Sequence, residues 1–203
     1  MKQYSEACEQ NKDPILAILR VAFENVRNVL EIGSGTGQHA VYFSEQLPQL
    51  RWQTSDLPEN HPGIHAWLQE AGLKNTLTPV ALDTRNTSWP QHTPEKSYDG
   101  LFSANTTHIM DWPAVQGLFA GAGELLESRG RFCLYGPFNY HGTYSSDSNR
   151  CFDNSLKARD PASGIRHFEE LDSLANENNM ELVTDHEMPA NNRALLWRKR
   201  TAL

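Results

Sequence analysis

The sequence has 203 residues, with 18 Lys and Arg against 25 Asp and Glu and a formal net charge of −7. At roughly 150 residues per domain, that length predicts one well-cored domain over 1–203, with no room for a separate substrate domain. The acidic balance lacks the cationic excess that a phosphate backbone attracts, so nucleic acid is not an expected partner.

The chain opens on a polar arm, residues 4–12, without the apolar core of a secretion signal. Residues 13–25 predict a first helix, with Asp13 as its cap and Pro14 at its first position. Ile15, Ile18, Leu19, Ala22 and Phe23 form its apolar face. Arm and helix together occupy 1–28. A buried strand, 29–32, then meets Gly33-Ser34-Gly35-Thr36-Gly37, and a helix follows to Leu47. Further strands are expected at 51–55, 77–82, 98–103 and 131–135. Helices are expected near 63–71 and 114–126, with a polar connection over 84–97. After 138–164, a long polar stretch read as a lid insertion with a short helix near 149–158, comes a helix near 168–178. The last two strands, 182–187 and 194–198, are separated by six residues, too few for a crossover, and predict an antiparallel hairpin. The fold class is α/β: a Rossmann-like, mostly parallel seven-stranded sheet with helices on both faces and that hairpin at its end.

No apolar run approaches the ~20 residues that span a bilayer, so no membrane is expected. Cys8, Cys133 and Cys151 are odd in number and widely spaced, which predicts neither disulfides nor a zinc site and fits a reducing, cytoplasmic setting. His61 and His65 stand four apart but have Pro62 between them and no third ligand, so no metal is expected.

The loop spacing is Glu31-x-Gly33-x-Gly35-x-Gly37. Gln38 stands where a dinucleotide fingerprint of the NAD type would need a small residue, and no Gly-Lys-Ser/Thr ending follows. Glu31 would sit unfavourably beside a pyrophosphate but favourably beside an amino group and a sulfonium, both carried by S-adenosyl-L-methionine (SAM). Asp56, ending the second strand, suits a ribose diol, and Asp83, ending the third, suits an adenine amino group. Both lie on the carboxyl edge where such sheets bind ligands. Ser34, Leu57, Thr84 and Asn105 complete the expected cofactor neighbours. Asn11 and Lys12 on the arm offer donors to a methionyl carboxylate.

Residues 29–38 (VLEIGSGTGQ), Asp56, Asp83 and the closing hairpin resemble the class I SAM-dependent methyltransferase superfamily. More narrowly, the segments at 11–16 (NKDPIL), 103–108 (SANTTH), 135–140 (YGPFNY), 157–161 (KARDP) and 188–192 (MPANN) resemble the methyltransferase-like twenty-six family, formerly a domain of unknown function. The resemblance implies SAM as cofactor and S-adenosyl-L-homocysteine (SAH) as product, and supplies no acceptor.

An acceptor would meet the methyl group beyond the fourth and fifth strands. His108, Tyr140 and His141 are the candidates for acid/base or orienting work, and Phe138, Asn139 and Tyr144 for substrate contact. Asn105-Thr106-Thr107-His108 is not the Asn-Pro-Pro-Tyr that orients an exocyclic amino group. Loop 189–192 is expected to make a turn. The expected reaction is methyl transfer to O or N of a small molecule. Alternatives are a protein methyltransferase or a SAM-binding module without catalysis. Nothing in the sequence sets the oligomeric state.

Overall fold

A computed structural model of the chain describes residues 2–89 and 93–201, so residues 90–92 of the predicted connection lie outside it. Seven strands form the main sheet: β1 (Asn28–Ile32), β2 (Arg51–Asp56), β3 (Thr76–Ala81), β4 (Tyr98–Ala104), β5 (Leu126–Gly136), β8 (Met180–Met188) and β9 (Asn192–Lys199). Their order is β3-β2-β1-β4-β5-β9-β8. The first five are parallel, while β9 runs antiparallel to both β5 and β8. The predicted α/β sheet and closing hairpin are therefore present. Two short strands, β6 (Phe138–Asn139) and β7 (Arg166–His167), pair in parallel beside it.

The described residues form six α-helices, α1 (Glu6–Ala22), α2 (Gln38–Gln46), α3 (His61–Ala71), α4 (Trp112–Leu125), α5 (Asp147–Arg159) and α6 (Phe168–Glu177). The side-chain alternation of a strand sorts neighbours to opposite faces. On β5, Phe132 and Leu134 pack with Leu118, Phe119 and Leu171 of α4 and α6, whereas Cys133 and Tyr135 pack with Ile15, Leu19 and Phe43 of α1 and α2. Burying both faces explains why these strands read as continuous apolar runs. No helix among the described residues is long and apolar enough to cross a membrane.

Two boundaries, at the start of α1 and at the hairpin turn, differ from expectation. α1 starts at Glu6, because Ser5 rather than Asp13 caps it, its Oγ accepting from the Cys8 N–H; Pro14 lies inside the helix. The polar arm is thus helical, and its buried Asn11 faces the sheet. The hairpin turn is shorter than predicted, a single 3-10 turn at Pro189–Asn191. Within the 138–164 stretch the short helix expected near 149–158 is present as α5, with Ser146 as its cap, and β6 precedes it. Strand order reverses between β1 and β4, which opens a crevice beyond their carboxyl ends.

Candidate active site

The turn after β1 is built by three glycines with left-handed φ: 73° at Gly33, 57° at Gly35 and 90° at Gly37. The Gly33 and Ser34 N–H groups donate to the Ser55 carbonyl at 3.0 and 2.9 Å, tying the loop to β2. A Cβ on Gly33 would stand 2.6 Å from Thr106 Cγ2, and one on Gly37 would stand 3.1 Å from the Ile64 backbone. A Cβ on Gly35 would meet nothing within 4 Å. The outer glycines serve packing; the middle one leaves the loop bare towards open space, a cradle in which a ligand can touch backbone.

Asp56 lies beside this cradle. Its carboxylate accepts from the Gly35 N–H at 2.7 Å, the Leu57 N–H at 2.7 Å and Asn60 Nδ2 at 2.8 Å. Asp83 is held by the Arg85 guanidinium at 2.7 and 3.0 Å, which keeps its carboxyl below the ordinary range. Asn105 takes a left-handed φ of 59° and donates its backbone N–H to the Tyr135 carbonyl at 2.9 Å, which bends the chain away from β4. Glu31 departs from expectation. It is 2% exposed and accepts from Ser34 Oγ at 2.9 Å and Trp52 Nε1 at 3.1 Å. Burial pushes its carboxyl up to about 7, and it does not border the cavity. It braces the glycine loop from beneath instead of facing a ligand.

One cavity of about 1280 Å³ takes in Gly33 to Thr36, Asp56, Leu57, Leu82 to Arg85 and Asn105, then continues to His108. Clefts for one drug-sized ligand run roughly 300–1,000 Å³, so there is room for a cofactor and a second molecule. α1 closes one side with Cys8 and Asn11. Asn11 Oδ1 lies 2.7 Å from His39 Nε2, and Cys8 Sγ lies 3.9 Å from the other nitrogen of that ring. Burial drives His39 down to about 4, so it is neutral at pH 7 and this group is no thiolate–imidazolium pair. At the far end, α5 and the 189–191 turn form the roof. His108 is 6% exposed, its ring edge-on to Phe152 at 5.3 Å, and its Nδ1 has no hydrogen-bond partner among the described residues. Burial first, then Arg166 and Arg159, lower it to about 4.

The cavity thus gathers Gly33, Ser34, Gly35, Asp56, Leu57, Asp83, Thr84, Asn105 and His108 from the expected set. Gly37 only shapes the loop. Five further residues lie elsewhere. The Tyr140 hydroxyl donates to Asp185 at 2.8 Å while its ring stacks on Phe168. His141 is exposed, with Nδ1 3.2 Å from Glu169, and the Tyr144 hydroxyl donates to Asp153 at 2.7 Å. Phe138 is core, and Asn139 is buried in β6. The cause is the β6–β7 pairing, which carries the chain after Pro137 towards α6 and β8. α5 then returns to supply Asn149 and Phe152, which sequence reasoning missed; the Asn149, Phe152, Asp153, Leu156 spacing of an inward helix face was the available signal. Lys12 also misses the cavity, pairing with Glu9 over the Tyr42 ring. The 189–192 loop lines the cavity as well as turning the chain.

A family model described as protein of unknown function (DUF938) matches residues 2–199. Among solved structures, an O-methyltransferase family protein from Burkholderia thailandensis is similar at a TM-score of 0.83 and 11% identity, over 98% of this chain and 59% of that one. Human N-acetylserotonin methyltransferase, in complex with SAM, is similar at 0.77 and 15% identity, over 97% and 53%. An O-methyltransferase family 2 protein from Planctomyces limnophilus, in complex with apigenin, is similar at 0.73 and 17%, over 93% and 61%. The chain therefore spans little more than half the length of these proteins, and the likeness is one of fold.

Proposed function

The chain belongs to the DUF938 family, and from its fold and cavity we propose that it is a SAM-dependent methyltransferase acting on O or N of a small molecule. The narrower likeness to the methyltransferase-like twenty-six family is part of the same reading. The observation that carries it is the bare Gly35 cradle, hydrogen-bonded to Asp56, in a cavity that reaches onward to a buried imidazole. Bound SAM would supply a methyl group already activated by its sulfonium.

The chain's own residues have the remaining work of binding, orientation and exclusion of water. Asp56 would accept from a ribose hydroxyl with the lone pair its three donors leave free. Leu57, Leu82 and Thr84 would flank adenine, and Asp83 would take its amino group on the side not covered by Arg85. The loop and Asn105 would receive the methionyl part. Asp56, Asp83, Asp111 and Asp160 line the cavity against Arg85 alone among the described residues, a negative setting that favours a cation over a pyrophosphate. Neutral His108 would accept a hydrogen bond from the acceptor and take its proton where one must leave. Two structural neighbours support a small acceptor, one an N-acetylserotonin methyltransferase and the other in complex with apigenin, both small molecules. The cavity's roof favours this over a polypeptide.

Calorimetry on the full chain tests the reading. SAM and SAH are expected to bind one to one and NAD not at all. Asp56→Ala is expected to weaken SAM at least tenfold, the worth of a hydrogen bond to a charged group. No heat from SAM or SAH in folded protein contradicts it.

A further inference from the structure

The acceptor end of the cavity holds a second unpaired polar group besides His108. Asn149, on the first turn of α5, donates its Nδ2 to the Asn191 carbonyl at 3.1 Å and to Ser145 Oγ at 2.8 Å. Asn191 returns the contact, its Nδ2 donating to Ser148 Oγ at 3.1 Å. A main-chain carbonyl can only accept, so the Asn149 amide must turn its nitrogen to Asn191 and its oxygen away. That Oδ1 has no partner among the described residues, although the residue is 5% exposed and lines the cavity. Asn149 and Phe152 are three apart on one helix and share a face. Phe152 in turn packs against His108, so one aromatic ring is flanked by two polar side chains: the unpartnered Nδ1 of His108 is buried against Gly136, while Oδ1 of Asn149 is left unused by the two bonds its Nδ2 makes.

Charge narrows what fits there. Among the described residues, the cavity's one fixed cation is Arg85, held by Asp83 at 2.7 Å and Asp111 at 3.8 Å. His39 and His108 are neutral at pH 7, and Asp160 adds a further negative charge. No group lining the cavity is free to pair with a carboxylate or phosphate; Arg166 and Arg159, whose charges reach His108, do not line it, and Arg166 is held by the Thr107, Met110 and Ala162 carbonyls. Phe152 and Ile109, exposed by 38% and 59%, give the mouth an apolar rim.

We propose that Asn149 is a specificity-determining residue: its Oδ1 accepts a hydrogen bond from an O–H or N–H of an uncharged acceptor whose apolar body lies on Phe152, and acceptors bearing a carboxylate or phosphate are rejected. The proposal rests on the methyltransferase reading, in which the other half of the cavity belongs to SAM.

Phenol, anisole and benzoate separate the terms, being ring-sized molecules with a donor, without one, and with a charge. Their affinities are read by saturation-transfer NMR on the full chain, loaded with SAH after calorimetry has established SAH binding. Phenol is expected to bind about fivefold or more tighter than anisole, the worth of one hydrogen bond, and benzoate at least tenfold more weakly than phenol. In Asn149→Ala the phenol–anisole gap is expected to fall within twofold while SAH affinity is unchanged. Equal binding of phenol and anisole by the wild type overturns the proposal, as does benzoate matching phenol or no phenol binding at all. A gap that survives Asn149→Ala in protein still binding SAH also overturns it. Should that variant not fold, the wild-type ranking decides. Absence of SAH binding by the wild type strikes the methyltransferase reading itself, a result the calorimetry registers before any probe is added.

Discussion

Identical residues in the glycine loop do different work, and the difference is measurable. At Gly35 an added Cβ enters empty space, so Gly35→Ala carries only the strain of φ 57°, about 1–2 kcal/mol. At roughly 2–4 °C per kcal/mol for a domain of this size, Tm should fall by only a few degrees. The same methyl would occupy the cradle, so SAM affinity should fall more than tenfold. At Gly33 the methyl would meet Thr106 Cγ2 at 2.6 Å and add overpacking to strain. Gly33→Ala should therefore cost about 2–4 kcal/mol and lower Tm further. Calorimetric scans beside SAM titrations of the two variants check this pattern. Equal Tm losses, or SAM binding retained by Gly35→Ala, would show that the middle glycine does not face the ligand. Spacing alone reveals that glycines are needed; the atoms opposite each one decide why.

At the scale of an element, α5 is held by one buried carboxylate. Asp153, fully buried, accepts from the Tyr144 hydroxyl, Lys157 Nζ and the Ile165 N–H at 2.6–2.7 Å. These contacts join the chain before the helix, the helix itself and the chain after it. Asp153→Ala leaves the Ile165 N–H unpaired, a penalty of about 1–3 kcal/mol confined to this segment. Limited proteolysis should cut within 144–165 about tenfold faster, while SAM affinity stays within twofold. Unchanged cleavage would mean that other contacts hold the roof. The same segment marks where the sequence ceased to be legible. Strand runs, glycine spacing and strand-end carboxylates are local patterns, and the sheet with its cavity-lining edge could be read from them. The placement of Tyr140, His141 and Tyr144 follows from β6 pairing with β7, a non-local contact of two residues on each side that leaves almost no periodic trace. The start of α1 was obscured for a related reason. Pro14 normally marks a first turn, but the helix carried through it is docked by Asn11 against His39, a contact between positions 28 apart.

For the molecule as a whole, three buried groups couple stability to pH in opposing directions. His39 and His108 have folded pKa values near 4, below the unfolded value of about 6.5. Their contribution is complete above pH 6.5 and is lost as pH falls towards 4. Glu31 has a folded pKa near 7, above the unfolded value of about 4.3, so its contribution is complete below pH 4.3 and lost as pH rises through 7. Between pH 5 and 6, unfolding takes up about two protons on the imidazoles and releases one from the carboxyl. Unfolding free energy should then rise by about 1.4 kcal/mol per pH unit from these groups. It should turn over near pH 7, where proton uptake by the unfolded imidazoles no longer exceeds release from Glu31. Denaturant titrations at pH 5.0, 5.5 and 6.0 read the slope directly. Glu31→Gln should steepen it to about two protons, and either His39→Gln or His108→Gln should bring it near zero. A slope unchanged by all three substitutions would place the linkage elsewhere. Cofactor supplies an independent check, because Asn11, bonded to His39, and His108 both line its proposed cavity. If SAH binds the folded protein with these rings neutral, its stabilising effect should be nearly flat from pH 5 to 6, where both are already neutral in the folded state, and should shrink as pH falls towards 4, a loss that His108→Gln should reduce.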